Sequence, residues 1–368
     1  MVALAHDYLT QRGGAERVVL ELLRAYPGAP LYTATHLPSA TFPEFSQHEI
    51  HTSVLNRVPA IRADHRLGLP LYAPVFSRMR IEADLVICSS SGWAHGVQAT
   101  GRKVVYCHNP ARWLYQQDEY LRDSHPAIRA ISGLLAPSLR RWDRKAAATA
   151  DVYLANSTVV AGRVRAIYGI EATVLPPPPA LTPDGEQREV AGVEPGFFLC
   201  VARLHAYKNV DALMEAFCSL PAERLVVVGD GPYRDRLLAM ARPNMTFLHR
   251  ASDAELRWLY ANSRAVLAAS YEDYGLTPLE AAAFGRPVAV LRWGGYLDTV
   301  VEGGTGVFFD RPAADAILPA IEDLLGRAWS DQVIRSHSEL FSRERFVRRL
   351  HGLIEAAGQP TPTGGQAG

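Results

Sequence analysis

The stretch EDYGLTPLE, residues 272–280, sets two carboxylates, Glu272 and Glu280, around a helix-starting cassette. Thr277, Pro278 and Glu280 spell a capping box with proline at the first helical position, so Glu280 reads plainly as a capping residue. Glu272 has no such explanation. The same helix start follows the apolar run Ala265–Ala269 and offers backbone amides and a positive dipole end, which suit phosphate. Cations stand in VARLHAYKN, residues 201–209: Arg203, where a strand ends, can grip two phosphate oxygens, and Lys208, at a helix opening, adds a point charge. Gly229 and Gly231 in GDGPYR, after Leu225–Val228, make a tight strand-to-helix turn or a base or phosphate contact. The spacing is not G-x-G-x-x-G, so a dinucleotide fingerprint is absent there. Gly13 and Gly14 in RGGAER precede a helix just after the first strand, where bare backbone can approach a ligand. His108 in YCHNPARWLY follows a buried run; on its own it reads as a satisfied core histidine. Asp7 reads as a loop or cap acid, and Asp298 and Glu302 as acids of a helix face.

These residues need elements to hold them, and the apolar pattern supplies two series. Val2–Ala5, Asp84–Cys88, Lys103–Cys107 and Asp151–Ala155 recur in the front half; Phe197–Val201, Leu225–Val228, Met245–Leu248, Ala265–Ala269 and Val288–Leu291 recur in the back half. Largely apolar strands alternating with amphipathic helices such as Ala15–Tyr26 and Val210–Leu220 describe parallel sheets covered on both faces. Between the series lies VLPPPPALTPDGEQREVAGVEPG, whose four prolines exclude helix and interior strand. The expected organisation is therefore α/β: a first doubly wound domain over 1–173, a linker over 174–196, a second doubly wound domain over 197–340 and a basic amphipathic helix over 341–357, which could cross back to the first domain. A disordered tail is expected over 358–368. Ligands bind such sheets at the carboxyl ends of the strands, and two such domains would leave a cleft.

The 368 residues carry 38 basic and 38 acidic side chains, with 48% hydrophobic residues, an ordinary globular composition. The charges divide unevenly: 19 Lys/Arg minus 14 Asp/Glu gives +5 over residues 1–175, and 19 minus 24 gives −5 beyond. This is too small an asymmetry for nucleic acid but suits an anionic partner or surface. Four cysteines without C-x-x-C spacing read as buried reduced thiols of a cytosolic protein. The start MVALAHDYLTQRGG turns polar too early for a signal peptide, and no apolar run is long enough to span a bilayer.

Taken in order, residues 12–14, 107–113, 201–209, 229–232, 272–285 and 294–302 resemble the motifs of family-four retaining glycosyltransferases of the GT-B fold, and EDYGLTPLE resembles their E-x7-E signature. The resemblance covers nearly the whole chain. It implies two Rossmann-like domains with an interdomain cleft and a nucleotide-diphosphate sugar as donor. Glu272 would face the donor sugar's hydroxyls, Glu280 the ribose, and Arg203 and Lys208 the departing diphosphate. The amides around Gly275, Leu276 and Thr277 would cap sugar and phosphates, with Gly13 and Gly14 approaching the same phosphates. His108 would lie near the transferred sugar, and the HNPARW run resembles members that use GDP-mannose. Arg203, Lys208, Glu272 and His108 are thus the expected catalytic set.

Retaining transfer without a covalent intermediate would rest on electrostatics at the leaving diphosphate. No metal-ligand cluster is visible, the cations standing in for a divalent ion; no cofactor is expected. Rival readings are a nucleotide-sugar 2-epimerase, against which the E-x7-E arrangement speaks, and a non-catalytic sensor or scaffold that binds donor without turnover. A pyridoxal-phosphate phosphorylase ranks lower, since Lys103, Lys145 and Lys208 are the only lysines. The acceptor would be a glycan or a polyprenyl-diphosphate-linked sugar in polysaccharide or glycoconjugate synthesis. Residues 51–80 hold five arginines among apolar and aromatic residues, opposed within that basic run by Asp64, and SLRRWDRK at 138–145 adds a second basic segment. Either these are solvated faces and pocket walls, or they rest on the anionic inner face of a membrane.

Overall fold

The computed structural model describes residues 1–116 and 126–357. Alternation along its strands shows why they are buried on both faces. Ala3, Ala5, Val86, Cys88 and Val105 join one apolar cluster, and their neighbours Leu4, Ile87, Val104 and Tyr106 join another. A strand with side chains pointing to two cores has no polar face, which is what near-continuous apolar runs dictate.

The chain divides into two units, Met1–Pro177 with Phe346–Gly368, and Pro178–Arg345. In the first, β1 (Val2–His6), β2 (Leu31–Thr33), β3 (Ile50–Thr52), β5 (Leu85–Ser90), β7 (Arg102–Cys107), β8 (Val152–Ala155) and β9 (Thr173–Val174) form one parallel sheet in the order β3-β2-β1-β5-β7-β8-β9. The short β4 (Arg80–Ile81) and β6 (Gln98–Ala99) pair separately. In the second, β10 (Phe197–Val201), β11 (Leu225–Val228), β12 (Met245–Leu248), β13 (Ser263–Ala268), β14 (Val288–Leu291) and β15 (Gly306–Phe309) run in the order β12-β11-β10-β13-β14-β15. Both orders reverse direction beside their first strand, between β1 and β5 and between β10 and β13. Such a reversal opens a crevice at the carboxyl ends of the two strands.

The division falls inside the proline run. Leu181, Val190 and Val193, in the stretch that composition marks as linker, are buried in the second unit's core. Their three apolar side chains are spread too thinly to register as an element. The helix Arg343–Ala356 buries Phe346, Leu350 and Ile354 in the first unit's core, and Arg349 donates to the Val174 carbonyl at 3.0 Å. The tail 358–368 lies outside the described residues. Cys88, Cys107 and Cys200 are buried, whereas Cys218, at the end of the helix Val210–Cys218, is exposed. Among the described residues no helix is long and apolar enough to cross a membrane.

Candidate functional site

In the second unit the reversal between β10 and β13 brings together residues far apart in sequence. β10 ends at Val201 and Arg203 follows two residues on, exposed, its guanidinium donating to the Tyr207 hydroxyl at 3.2 Å. Lys208 closes a 3₁₀ turn, Ala206–Lys208, instead of opening the helix, which begins at Val210. Asn209 between them sits in the left-handed region at φ 50°, uncommon for a residue other than glycine. Its amide repays that strain by donating to the Ala269 carbonyl at 2.8 Å and to the Tyr207 carbonyl at 3.2 Å, which pins the lysine loop to the end of β13. Lys208 thereby meets Glu272 in a direct ion pair, with the two side chains 12% and 22% exposed. Its ammonium also stands 5.0 Å from the Tyr207 ring centre.

The loop from Glu272 to the next helix is fixed from below. The Glu272 carbonyl accepts from the Gly295 amide at 3.0 Å, and Tyr296 shares a 2.7 Å hydrogen bond with Ser270. Gly275 has φ 80°, and a Cβ there would stand 2.4 Å from the Tyr296 ring, so backbone strain and sterics both require glycine. Lys208, Glu272, Thr277, Ser270 and Tyr296 line a small cavity at the strand ends.

The capping box does not form. The helix is Thr277–Ala283, Leu276 is its N-cap, and no side chain caps it. Thr277 is already the first helical residue, one position too far along to cap. Glu280 instead accepts from the buried Tyr260 hydroxyl at 2.8 Å, a partner from the helix Asp253–Asn262 that no local pattern reveals. The phenol stays protonated: burial first and Glu280 second push its pKa well up. Gly229 and Gly231, both at positive φ, close the turn after β11 against the carbonyls of Ala202 and Leu204.

In the first unit, Gly13 is the N-cap of the helix Gly14–Ala25, and His108 follows β7. His108 is 9% exposed and its Nε2 lies 2.8 Å from Ser89 Oγ. Burial, then the neighbouring His6, pushes its pKa down to about 3, so the ring is neutral at working pH. Asp7 is a cap acid: its carboxylate accepts from the amides of Ser91 at 2.6 Å, Trp93 at 3.2 Å and Ala94 at 2.6 Å. Glu302 pairs with Arg292 at 2.7 Å on the surface. Glu16, His6 and Ser89, which surround His108's face of the sheet, carry no signal in the sequence, since a glutamate in a first helical turn is ordinary.

Two families match the chain in tandem, the one described as Glycosyltransferase Family 4 over residues 12–178 and the one described as Glycosyl transferases group 1 over residues 184–335. Glycogen synthase of Thermus thermophilus is 30% identical over 178 residues, 46% of this chain and 41% of that protein. The GDP-mannose-dependent alpha-(1-6)-phosphatidylinositol monomannoside mannosyltransferase of Mycolicibacterium smegmatis is 29% identical over 218 residues, 52% of this chain and 57% of that protein. The chain thus matches about half the length of these relatives. Among solved structures, sucrose-phosphate synthase from Thermosynechococcus elongatus has a TM-score of 0.73 at 18% identity, covering 97% of this chain and 98% of that one. Anabaena HepE in complex with UDP-glucose has a TM-score of 0.71 at 17% identity, covering 97% and 100%. The two parallel sheets are those of the GT-B fold. The chain has the GT-B fold, and its two units resemble glycosyltransferases of family 4 and of group 1 in turn.

Proposed function

We propose that the protein is a retaining hexosyltransferase that moves a mannose-like sugar from a nucleotide-diphosphate donor, GDP-mannose favoured, to a glycan or polyprenyl-diphosphate-linked acceptor. The observation that carries this reading is the Lys208–Glu272 pair beside Arg203 at the β10–β13 reversal. A cation pair there suits a diphosphate, and the carboxylate suits sugar hydroxyls. The mannosyltransferase relative, whose name specifies GDP-mannose, supports the choice of donor.

In the proposed reaction Arg203 and Lys208 stabilise the charge that develops on the leaving diphosphate, doing without a metal ion. The amides of Gly275, Leu276 and Thr277 add hydrogen bonds, and Glu280 holds the ribose. The acceptor hydroxyl attacks from the face the diphosphate leaves, and a donor phosphate oxygen takes its proton. Glu272 fixes the sugar's hydroxyls, while His108 contributes a neutral imidazole to the transferred sugar and the Gly13–Gly14 backbone approaches the phosphates.

The test is a panel of GDP-mannose, GDP-fucose, UDP-glucose, UDP-N-acetylglucosamine and dTDP-rhamnose, read by thermal shift and by slow release of free nucleotide. Stabilisation by GDP-mannose with release is expected. Stabilisation with neither release nor transfer to any acceptor would turn the protein into a sensor, and no response to any donor would sink the reading.

For the acceptor side we propose peripheral contact with an anionic membrane. Val54, Val58, Leu67 and Leu71 are exposed, and Arg57, Arg62 and Arg66 lie within the same segment. Co-sedimentation with vesicles containing anionic phosphatidylglycerol, and not with neutral ones, is the expected result; equal recovery with both, or none with either, removes the membrane from the scheme.

A further inference from the structure

Four buried polar side chains form a chain at the carboxyl end of the first sheet. Glu16 Oε1 lies 3.9 Å from His6 Nε2. His6 Nδ1 lies 3.1 Å from both the carbonyl and the hydroxyl of Ser89, and that hydroxyl lies 2.8 Å from His108 Nε2. None of the four residues is more than 9% exposed. Glu16 is drawn in because its carboxylate folds back over residue 13, where a Cβ would stand 2.5 Å from Oε2. Gly13 therefore makes room for a carboxylate of the helix it caps. Gln11 donates to Oε1 at 3.0 Å, while Oε2 has no hydrogen-bond partner. A buried carboxylate so incompletely satisfied costs stability, which calls for a purpose other than packing.

We propose that Glu16 and His6 are positioning residues that decide which ring nitrogen of His108 carries its proton. The Ser89 hydroxyl has a single hydrogen, and this makes the chain directional. With His6 doubly protonated, its Nδ1–H donates to Ser89, the hydroxyl donates to His108 Nε2, and His108 keeps its proton on Nδ1. With His6 neutral and its remaining proton on Nε2, on the side of the Glu16 carboxylate 3.9 Å away, bare Nδ1 accepts the Ser89 hydrogen while standing 3.1 Å from the Ser89 carbonyl. Ser89 then accepts from His108 Nε2–H, and His108 Nδ1 is bare. One proton leaves His6 for solvent; His108 remains neutral throughout and only exchanges the nitrogen that holds its proton.

The groups facing His6 favour the first arrangement. Burial pushes its pKa down, but Glu16 from the helix and Asp7 from the end of β1, with the Ser89 carbonyl, more than reverse this and the net direction is up. The other ring neighbours are His108, from the end of β7, and Tyr8, 6.5 Å between centroids. His108 thus offers an N–H donor at Nδ1. Its consequence for chemistry rests on the reading above, in which that ring meets the transferred sugar: a donor supports a sugar oxygen, whereas a bare nitrogen would take a hydroxyl proton.

The test is nitrogen-15 NMR of the full chain labelled in histidine, with His6 and His108 signals assigned from His6→Gln and His108→Gln. In wild type below the His6 midpoint, His108 should be protonated at Nδ1 and His6 at both nitrogens. In wild type above the His6 midpoint the His108 tautomer populations should invert, and Glu16→Gln should move that midpoint to lower pH. A His108 tautomer that stays fixed while His6 loses its proton overturns the proposal. Should the variant not fold, the wild-type spectrum decides, because Nε2 protonation of His108 beside a doubly protonated His6 overturns it equally. No turnover enters this readout, so its failure and the failure of the donor panel are separate outcomes.

Discussion

Lys208→Ala is expected to lower sugar transfer roughly 100- to 1,000-fold, the range seen when one preorganised donor to developing negative charge is removed. Glu272→Gln is expected to lower it comparably while tightening nucleoside diphosphate binding about tenfold, or about 1.4 kcal/mol. The opposite signs follow from one contact. Without ligand, the Lys208 ammonium is already neutralised by Glu272, so an incoming diphosphate must compete with a carboxylate for the same cation. Glutamine removes the competitor and the repulsion it exerts on phosphate, yet forfeits the charged acceptor proposed to hold the sugar's hydroxyls. Alanine at 208 does the reverse, leaving a carboxylate facing the phosphates without its cation, so both affinity and rate should fall. Calorimetry with GDP beside turnover with GDP-mannose checks both variants; diphosphate binding that weakens in Glu272→Gln would show that the two side chains bind the ligand jointly and do not compete for each other.

The interior strands were legible because they are buried on two sides and therefore apolar at every position; Phe197–Val201, Leu225–Val228 and Val288–Leu291 coincide with their runs. The strand Leu31–Thr33 and the edge strand Ile50–Thr52 were not, being only three residues each. Glu272 could be singled out as a carboxylate with no local duty, and Arg203 and Lys208 as cations at a strand end. Glu280 was misread as a cap because the spacing matches; the competing partner, Tyr260, arrives from another helix through the sheet packing. Glu16 was invisible for the opposite reason. A first-turn glutamate satisfies a helix dipole in countless surface helices, and only the fold buries this one against His6.

Asp143→Asn is expected to destabilise the protein by about 3–5 kcal/mol, the cost of breaking one side of a buried charged network. The Asp143 carboxylate is 1% exposed and accepts from the hydroxyls of Tyr115 and Tyr168, both at 2.8 Å, while its other oxygen lies 3.0 Å from His95 Nε2. These partners come from the turn Arg112–Tyr115, the helix Thr158–Tyr168 and the turn Ala94–Gly96, so one carboxylate joins them to the helix Pro126–Ala147. Burial first and Asp143 second push both phenol pKa values up, which keeps them protonated and donating. Behind His95, its carbonyl accepts from the buried Lys103 ammonium at 3.0 Å and its Nδ1 lies 2.9 Å from Ser90 Oγ, the residue at the end of β5. An asparagine presents one acceptor and one NH₂ group, so either the two phenols or a protonated His95 Nε2 would face a donor. Tyr115→Phe removes a single hydrogen bond and should cost only about 1 kcal/mol. Urea unfolding of the three proteins separates a charged hub from simple packing: asparagine and phenylalanine variants of equal stability would mean that Asp143 contributes one hydrogen bond among several and that the charge is dispensable.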